Sequence, residues 1–576
     1  MTTFVVKGLG RGKSREILRY PEMDWRLPHS MMEAVTSPSF PLEIQMRFLS
    51  RSLLILFGLY GLVFAVGNAF LAESRVPLWG GILFAVAVVG LQYLIGPWLI
   101  EWLLDIRWEG GEAQLPARNR EFVERLCRER GLKMPRIGVI ESGTPNAFTY
   151  GHVPGDARVV VTTGLLDVLT PEEVNTVLAH EMGHVEHWDF VVMTIAALAP
   201  LLLYQIYAFT RHQDSVRAVA YTSYLCYWVS QFIVLLLNRT REYFADHYAA
   251  EVTRTPDALA SALVKIAYGM VKADGETRQA LESKERQAEA RKAQRVAGAV
   301  AVMGISNLRS GTSLALGGAD ATAAAAVMRW DLVNPWARLY ELSSTHPLTA
   351  LRVRALNRDA AAMNQAVQYP LPEDQRMRWG MFPVEVLIWL TPWLSAVALG
   401  AALWKPEWFA ALGGEQALET IKPLLLLVLG FTWVLRIAYR YRGRFEDASI
   451  GSLLENVEVS EMRPRAVRLK GEILGRGMPG AFWSADLVLR DETGILFVLY
   501  RQSIPFARFL FALTEAENYI GRQVEIDGWF RRGLTPYIEM SRLTGEDGAI
   551  HRAYSRWVQY ALASLAVIGG FLWLVR

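Results

Sequence analysis

Runs of roughly 20 apolar, nearly uncharged residues constrain this chain more than any other feature. Hydrocarbon offers the backbone no hydrogen-bond partners, so such runs must satisfy their own polar groups as helices. They occur at Leu53–Leu71, Leu78–Ile100, Phe190–Thr210, Ala218–Leu237, Val386–Leu403 and Trp557–Val575. A weaker run, Ile421–Ala438, has Lys422 and Arg436 bracketing its core. It is either a seventh span with snorkelling ends or a buried or interfacial helix. The composition agrees with a multi-pass membrane protein: 52% of the 576 residues are hydrophobic and only 20% are charged. The first run begins after a polar, basic leader, so no cleavable signal peptide is expected. Cys127 and Cys226 are too few for a disulfide framework and read as small buried hydrophobes.

Basic residues set the expected orientation. Lys7, Arg11, Lys13, Arg15, Arg19, Arg26, Arg47 and Arg51 precede the first run, which places that end in the cytoplasm. Threading from there leaves loops 72–77, 211–217 and 405–420 outside and segments 101–189, 239–385 and 439–556 inside. Arg440, Arg442 and Arg444 agree with this assignment, whereas Arg211 and Arg217 argue weakly against it.

The chemistry concentrates at His180-Glu181-Met182-Gly183-His184. Histidines four apart share one helix face, so both imidazoles can reach one Zn²⁺, with Glu181 beside them to act on a metal-bound water. The motif runs almost directly into the third span, and the fourth returns to Glu242 and Asp246. An antiparallel hairpin brings those segments together at one membrane face. A catalytic zinc needs three protein ligands and an open position, which His180, His184 and Glu242 satisfy. Asp246, one turn on, is placed to accept the spare N–H of a ligand histidine. The competing reading of Glu242 is an ion pair with Arg239 or Arg241.

These residues resemble the integral-membrane zinc metallopeptidases of the HtpX and CaaX-prenyl-protease type, from about Arg120 to Leu356. Asn146-Ala147-Phe148 is similar to the family's N-A-F segment, and Val160–Leu166 to its strand and turn before the metal helix. Glu242-x-x-x-Asp246 matches its E-x-x-x-D motif, and Thr345-His346-Pro347 with Arg352 its late T-H-P…R motif. The resemblance implies that Glu181 is the general base, that His346 donates to the oxyanion, and that Arg352 positions His346 or the substrate. Segment Arg158–Thr163 reads as a strand. If it is an edge, a substrate can add to it, with Asn146 and Ala147 giving backbone contacts; an ordinary buried strand fits as well. His187 reads as a surface residue, and His247 should point away from the ligand face. His29, His152, His212 and His551 show no partners.

Residues 270–328 divide into a charged helix, Glu276 to Arg295, and a Gly/Ala-rich stretch, Gly311 to Ala326, which is either a loop over the site or a linker. From Ser452 to Ala549 short strands alternate: Val467–Ile473, Asp486–Leu489, Ile495–Tyr500, Val524–Trp529 and Tyr537–Met540, with a helix at about Phe506–Ala516 before the last pair. That is the order of an OB-like barrel. Its charges nearly cancel, so nucleic acid is not expected and a protein-interaction or substrate-presenting role is.

The expected whole is a multi-domain membrane protein: an α-helical transmembrane bundle of about seven spans, an α+β zinc metallopeptidase domain and a C-terminal all-β OB-like domain. The divisions are a cytoplasmic leader (1–50), a span hairpin (51–105), the metallopeptidase domain with spans three and four (106–365), two further spans (384–440), the barrel (450–550) and a final span (557–575). The expected activity is zinc-dependent cleavage of misfolded membrane proteins or membrane-anchored peptides in the bacterial inner membrane, on the cytoplasmic side. A non-catalytic scaffold of the same fold is the alternative. A transporter is disfavoured because charges within the spans are nearly absent. Homo-oligomers are left open.

Overall fold

The computed structural model describes residues 77–104, 106–108, 115–142, 145–266, 321–373, 375–407, 414–476, 485–502, 505–533 and 536–576. The leader, the run Leu53–Leu71, the stretch Glu276 to Arg295 and residues 311–320 lie outside them. A long apolar helix, α1 (Leu78–Leu103), is followed by β1 (Arg107–Trp108) and α2 (Ala117–Arg130). Strands β2 (Arg136–Ile140), β3 (Ala147–Tyr150) and β4 (Arg158–Thr162) lead through α3 (Thr163–Val168) into α4 (Pro171–Glu186). Then come the hairpin α5 (Asp189–Thr210) and α6 (Arg217–Thr253), and helical residues 256–266. Beyond residue 320 are α7 (Ala321–Val333), α8 (Pro335–Leu342), α9 (Thr349–Ala362), α10 (Phe382–Trp404) and α11 (Gly414–Arg440). The C-terminal part comprises β5 (Glu446–Asp447), α12 (Ile450–Leu454), β6 (Arg465–Arg476), β7 (Leu487–Arg490), β8 (Ile495–Leu499), α13 (Pro505–Thr514), β9 (Gln523–Arg532), β10 (Pro536–Gly545), β11 (Ile550–Arg552) and α14 (Ser555–Val575).

Among the described residues six helices, α1, α5, α6, α10, α11 and α14, are long and apolar enough to cross a membrane. Leu83, Trp98, Leu225, Leu394 and Leu565 on them are each at least 60% exposed. Apolar exposure on that scale calls for lipid rather than water as the surrounding solvent. The weaker run is one of the six, because its charges find partners. Lys422 pairs with Glu419 at 3.0 Å, and the Arg436 guanidinium lies 5.7 Å from the Trp393 ring and 6.0 Å from Trp433.

The first sheet has the order β1-β2-β4-β3, with β2 and β4 parallel and β3 antiparallel to β4. All five β4 residues are buried. Of the two readings of Arg158–Thr163, the sheet takes the buried strand: β4 is interior, Thr163 already begins α3, and among the described residues β3 lies at the margin beside it. In the second sheet β6 pairs with β7, β7 with β8, β8 in parallel with β10, β10 with β9, and β9 back with β6. These five strands close into a barrel around Val467, Leu469, Leu487, Leu489, Val498, Ile526 and Ile538, all fully buried.

One apolar core runs from the first sheet through α4 and α7 into the barrel. Polar contacts fix the junction: Trp330 Nε1 donates to Val459 O at 2.7 Å, and Arg532 donates to Val327 O at 2.7 Å and to Leu454 O. Glu385, buried in the first turn of α10, accepts from Trp336 Nε1 (2.6 Å), Tyr439 Oη (2.9 Å) and Arg463 Nε (2.6 Å). A buried carboxylate needs several donors, and here they come from α8, the end of α11 and the barrel's lead-in. That one side chain ties two spans and both globular parts together.

Helices α11 and α14 approach closely at Gly430, where a Cβ would stand 2.7 Å from Val567 N and 2.8 Å from Ala563 O. Gly430→Ala should therefore destabilise the detergent-solubilised protein by roughly 1–3 kcal/mol, as overpacking does. Gly400→Ala, with no atom within 4 Å of its would-be Cβ, should not. Equal thermal midpoints for the two variants would contradict this helix packing.

Candidate active site

The metal motif sits on a deliberately started helix. Thr170 accepts from the Glu173 amide, Glu173 accepts from the Thr170 amide, and Pro171 occupies the first turn of α4. Burial raises the Glu173 carboxyl, but Lys265, Ser261 and the Thr170 amide outweigh it and leave it below the usual carboxylate range. Further along, Gly183 faces α6, where a Cβ would stand 3.2 Å from Ala245 Cα and 3.1 Å from the Tyr248 ring. The glycine lets α4 approach α6 closely enough for their side chains to share one centre.

That centre is compact. The Nε2 atoms of His180 and His184 are 3.2 Å apart, and each lies 3.7 Å from an oxygen of Glu242. On the opposite nitrogen, His180 Nδ1 stands 3.0 Å from Asp246 Oδ1 and His184 Nδ1 stands 2.5 Å from Asp189 Oδ2. A carboxylate at Nδ1 favours the proton there, leaving both Nε2 lone pairs aimed at the shared point. Two ligands each about 2.0–2.2 Å from a tetrahedral ion stand about 3.3–3.6 Å apart, so the observed spacing fits a single metal. Glu242 is buried, with one carboxylate oxygen turned to each imidazole.

Neither arginine beside Glu242 is spent on it. Arg239 donates to the carbonyls of Glu341 (2.5 Å) and Ser344 (3.0 Å), and Arg241 Nε pairs with Asp189 Oδ1 at 2.7 Å. Asn238 adds a bond to Thr345 O at 2.7 Å. These contacts hold the Thr345–Pro347 segment against α6, so that His346 Nδ1 lies 3.1 Å from Glu242 Oε2. Arg352 grips Asp246 through Nε (2.8 Å) and Nη2 (2.6 Å) and reaches Glu242 Oε2 at 3.4 Å. Burial works against its charge, but Asp246 and Glu242 raise its pKa above the ordinary arginine value. At 1% exposure Arg352 cannot meet a substrate, which corrects that part of the expectation.

Glu181 is buried beside the cluster, its Oε2 accepting from Thr149 Oγ1 at 2.6 Å. Thr149 belongs to the edge strand β3, as does Ala147, while the buried Asn146 directly precedes it. Sequence reasoning missed Thr149 and Asp189. Thr149 directly follows the N-A-F segment, and an aspartate opening an apolar span was the signal for Asp189. His187 is exposed against Tyr248, and His247 faces Asp359 at 3.1 Å, both away from the centre. His152, without a visible partner in sequence, stands 2.6 Å from Asp156 Oδ2 and 3.0 Å from Leu94 O.

A cavity of about 480 Å³ adjoins the cluster. Glu181, His184, Glu242 and His346 line it, and so do Val89, Tyr93 and Pro97 of α1 and Phe190, Met193 and Ala197 of α5. It therefore extends from the polar centre between two membrane-length helices.

A buried two-histidine, one-glutamate centre on a helical membrane scaffold, with a carboxylate poised beside it, defines a membrane metallopeptidase class. The profile of Peptidase family M48 matches residues 114–360. A "Protease HtpX homolog" of Methanothermobacter thermautotrophicus is 37% identical over 214 residues, covering 36% of this chain and 81% of that protein. Similar homologs from Moorella thermoacetica (34% identical, 35% and 72% covered) and Halobacterium salinarum (34%, 39% and 79%) align as well. The chain belongs to peptidase family M48, among its HtpX-like members.

Thr149→Val removes the hydroxyl that holds Glu181 while leaving the metal cluster intact. A hydrogen bond to a charged group contributes about 1.5–3 kcal/mol, so kcat should fall roughly 10- to 100-fold. Metal content should be unchanged and Thr149→Ser should restore the rate. A loss of bound metal in Thr149→Val would contradict the assignment.

Proposed function

We propose that this chain is a zinc-dependent endopeptidase acting on membrane proteins or membrane-anchored peptides beside the bilayer. The observation that carries this reading is the convergence of two Nε2 atoms and the Glu242 carboxylate on one point, with Glu181 pinned next to it. His180, His184 and Glu242 would hold the ion, with Asp246 and Arg352 behind them. A zinc ion held there would lower the pKa of a bound water to about 7. Glu181 accepts the proton of the attacking water and returns it to the leaving amine. His346, lining the same cavity, donates to the oxygen that gains charge at the scissile carbonyl. Strand β3, at the margin of the sheet among the described residues, would take an extended substrate as a further strand, with Asn146 and Ala147 at its start.

The closed order β6-β7-β8-β10-β9, with its parallel β8–β10 pair and a helix before β9, supports reading the barrel as OB-like. Its firm seating on α7 and α8 suits a substrate-presenting or partner-binding platform. The basic leader supports a cytoplasmic site. The relatives above include archaeal proteins, so they support a cell membrane without favouring the bacterial one expected from sequence.

Glu181→Gln should abolish cleavage, by at least roughly 10²–10⁴-fold, with zinc still bound. Glu242→Ala should lose the zinc itself. Stoichiometric zinc analysis after dialysis, alongside a peptide-cleavage assay, separates the two. Full zinc in Glu242→Ala, or near-normal activity in Glu181→Gln, would overturn these roles.

The cavity between α1 and α5 opens a route from membrane depth, so anchoring should raise a substrate's local concentration at the site. One peptide presented on a membrane anchor and free in solution, assayed with the protein in vesicles, should be cut far faster when anchored. Equal kcat/KM for the two forms would remove the membrane-substrate part of the reading.

A further inference from the structure

The barrel carries one helix whose outer face is apolar. On α13 the large exposed side chains are Phe506 (69%), Phe509 (41%), Leu510 (48%) and Leu513 (45%). At 3.6 residues per turn they occupy an arc about 100° wide. The opposite face is already used: Phe511 and Ala512 are buried, and the Phe511 ring packs on Tyr500 and His551. A helix seated on a barrel in water would turn polar residues outward. Here both faces are apolar, and among the described residues nothing covers the outer one.

Covalent and hydrogen-bonded continuity with α14 points to what covers that outer face. Gln502, three residues before α13, donates through Nε2 to Arg552 O at 2.9 Å and accepts from the Tyr554 amide at 3.1 Å. Tyr554 immediately precedes α14 and Arg552 stands three residues before it; α14 is a helix long and apolar enough to cross a membrane. Three extended residues reach about 10 Å at most, so the start of α13 is held close to the start of α14. From the other side, His551 of β11 packs on both Phe511 and Tyr519. The aromatic residues Tyr554 and Trp557 are also exposed (56% and 58%) where α14 begins, the position aromatic belts take at the headgroup level. The apolar band of α14 thus continues sideways onto α13.

We infer that α13 is a membrane-surface helix, with Phe506, Phe509, Leu510 and Leu513 seated at the headgroup–acyl boundary of the bilayer that α14 crosses. An amphipathic helix lying in the interface plane buries its apolar face to a depth of about 5–10 Å, which suits these side chains. Arg508 on its flank is held by Asp486 at 2.5 Å, turned onto the barrel instead of outward. The attraction is therefore apolar and does not depend on anionic lipid. Docked this way, α13 gives the barrel a membrane contact of its own, beyond its attachment through α7, α8 and the flanking spans. The inference holds whether or not the metal centre cleaves peptides.

The test uses the full chain in phosphatidylcholine vesicles. Single cysteines are placed at Phe509, at Leu513 and, as a control, at Glu492, which is exposed on the β7–β8 turn. Exposed Cys226 is replaced by serine, and buried Cys127 is left in place. With an environment-sensitive fluorophore attached, positions 509 and 513 should emit to the blue of 492. They should be quenched by lipids brominated high on the acyl chain and protected from aqueous iodide, in neutral vesicles and in vesicles with anionic lipid alike. Iodide access equal to that at 492 would overturn the inference. So would protection that appears only in native membranes, because that would assign the face to a protein partner.

Discussion

Each imidazole of the centre is aimed by a carboxylate on its other nitrogen, and the remaining architecture exists to deliver those two carboxylates. Asp246 reaches His180 from α6, and Asp189 reaches His184 from the first turn of α5. A membrane hairpin must therefore leave and return within a few ångströms of α4. Gly183 permits the close approach, Arg241 ties the two ends of the hairpin through Asp189, and Arg352 clamps Asp246 from α9. Buried charges held this way are costly to separate, since removing one partner strands the other. The cluster is thus assembled by the protein's own contacts, which is what a pre-organised site requires.

The features legible in the sequence were those with a period or a spacing. Apolar runs gave the positions of the described spans, and the four-residue histidine spacing with the later E-x-x-x-D located the donors on two adjoining helices. Alternation and turn residues marked the barrel strands to within a few residues. Contacts set by tertiary packing were not legible. Strand β4 was open to being an edge because its Val-rich pattern is the same for an interior strand, and only the pairing of β3 decides. Arg352 was left between positioning His346 and positioning the substrate because a motif says which residue recurs, not which way it points. Thr149 was missed because a threonine on a strand carries no signal of its own; its meaning comes from the Glu181 carboxylate 2.6 Å away.

The barrel and the bilayer enter the same account. Glu385 joins the start of α10 to α8, to the end of α11 and to Arg463, so one buried carboxylate ties the membrane ends of these elements to the metallopeptidase part. Trp330, Asn334 and Arg532 continue that attachment into the barrel. A cavity lined by α1 and α5 on one side and by Glu181 and His346 on the other then links lipid depth to the polar centre. Apolar faces left open on α1, α5 and α14 call for lipid around them, and the seat proposed for α13 would extend that contact to the barrel.

The central claim is that two imidazoles and one carboxylate hold a single ion. Zinc K-edge X-ray absorption on the zinc-loaded full-length protein tests it most directly. The account predicts a four- or five-coordinate light-atom shell at about 2.0–2.1 Å with multiple scattering from two imidazoles. A spectrum requiring three imidazoles, which would bring in His346, or none, would contradict it.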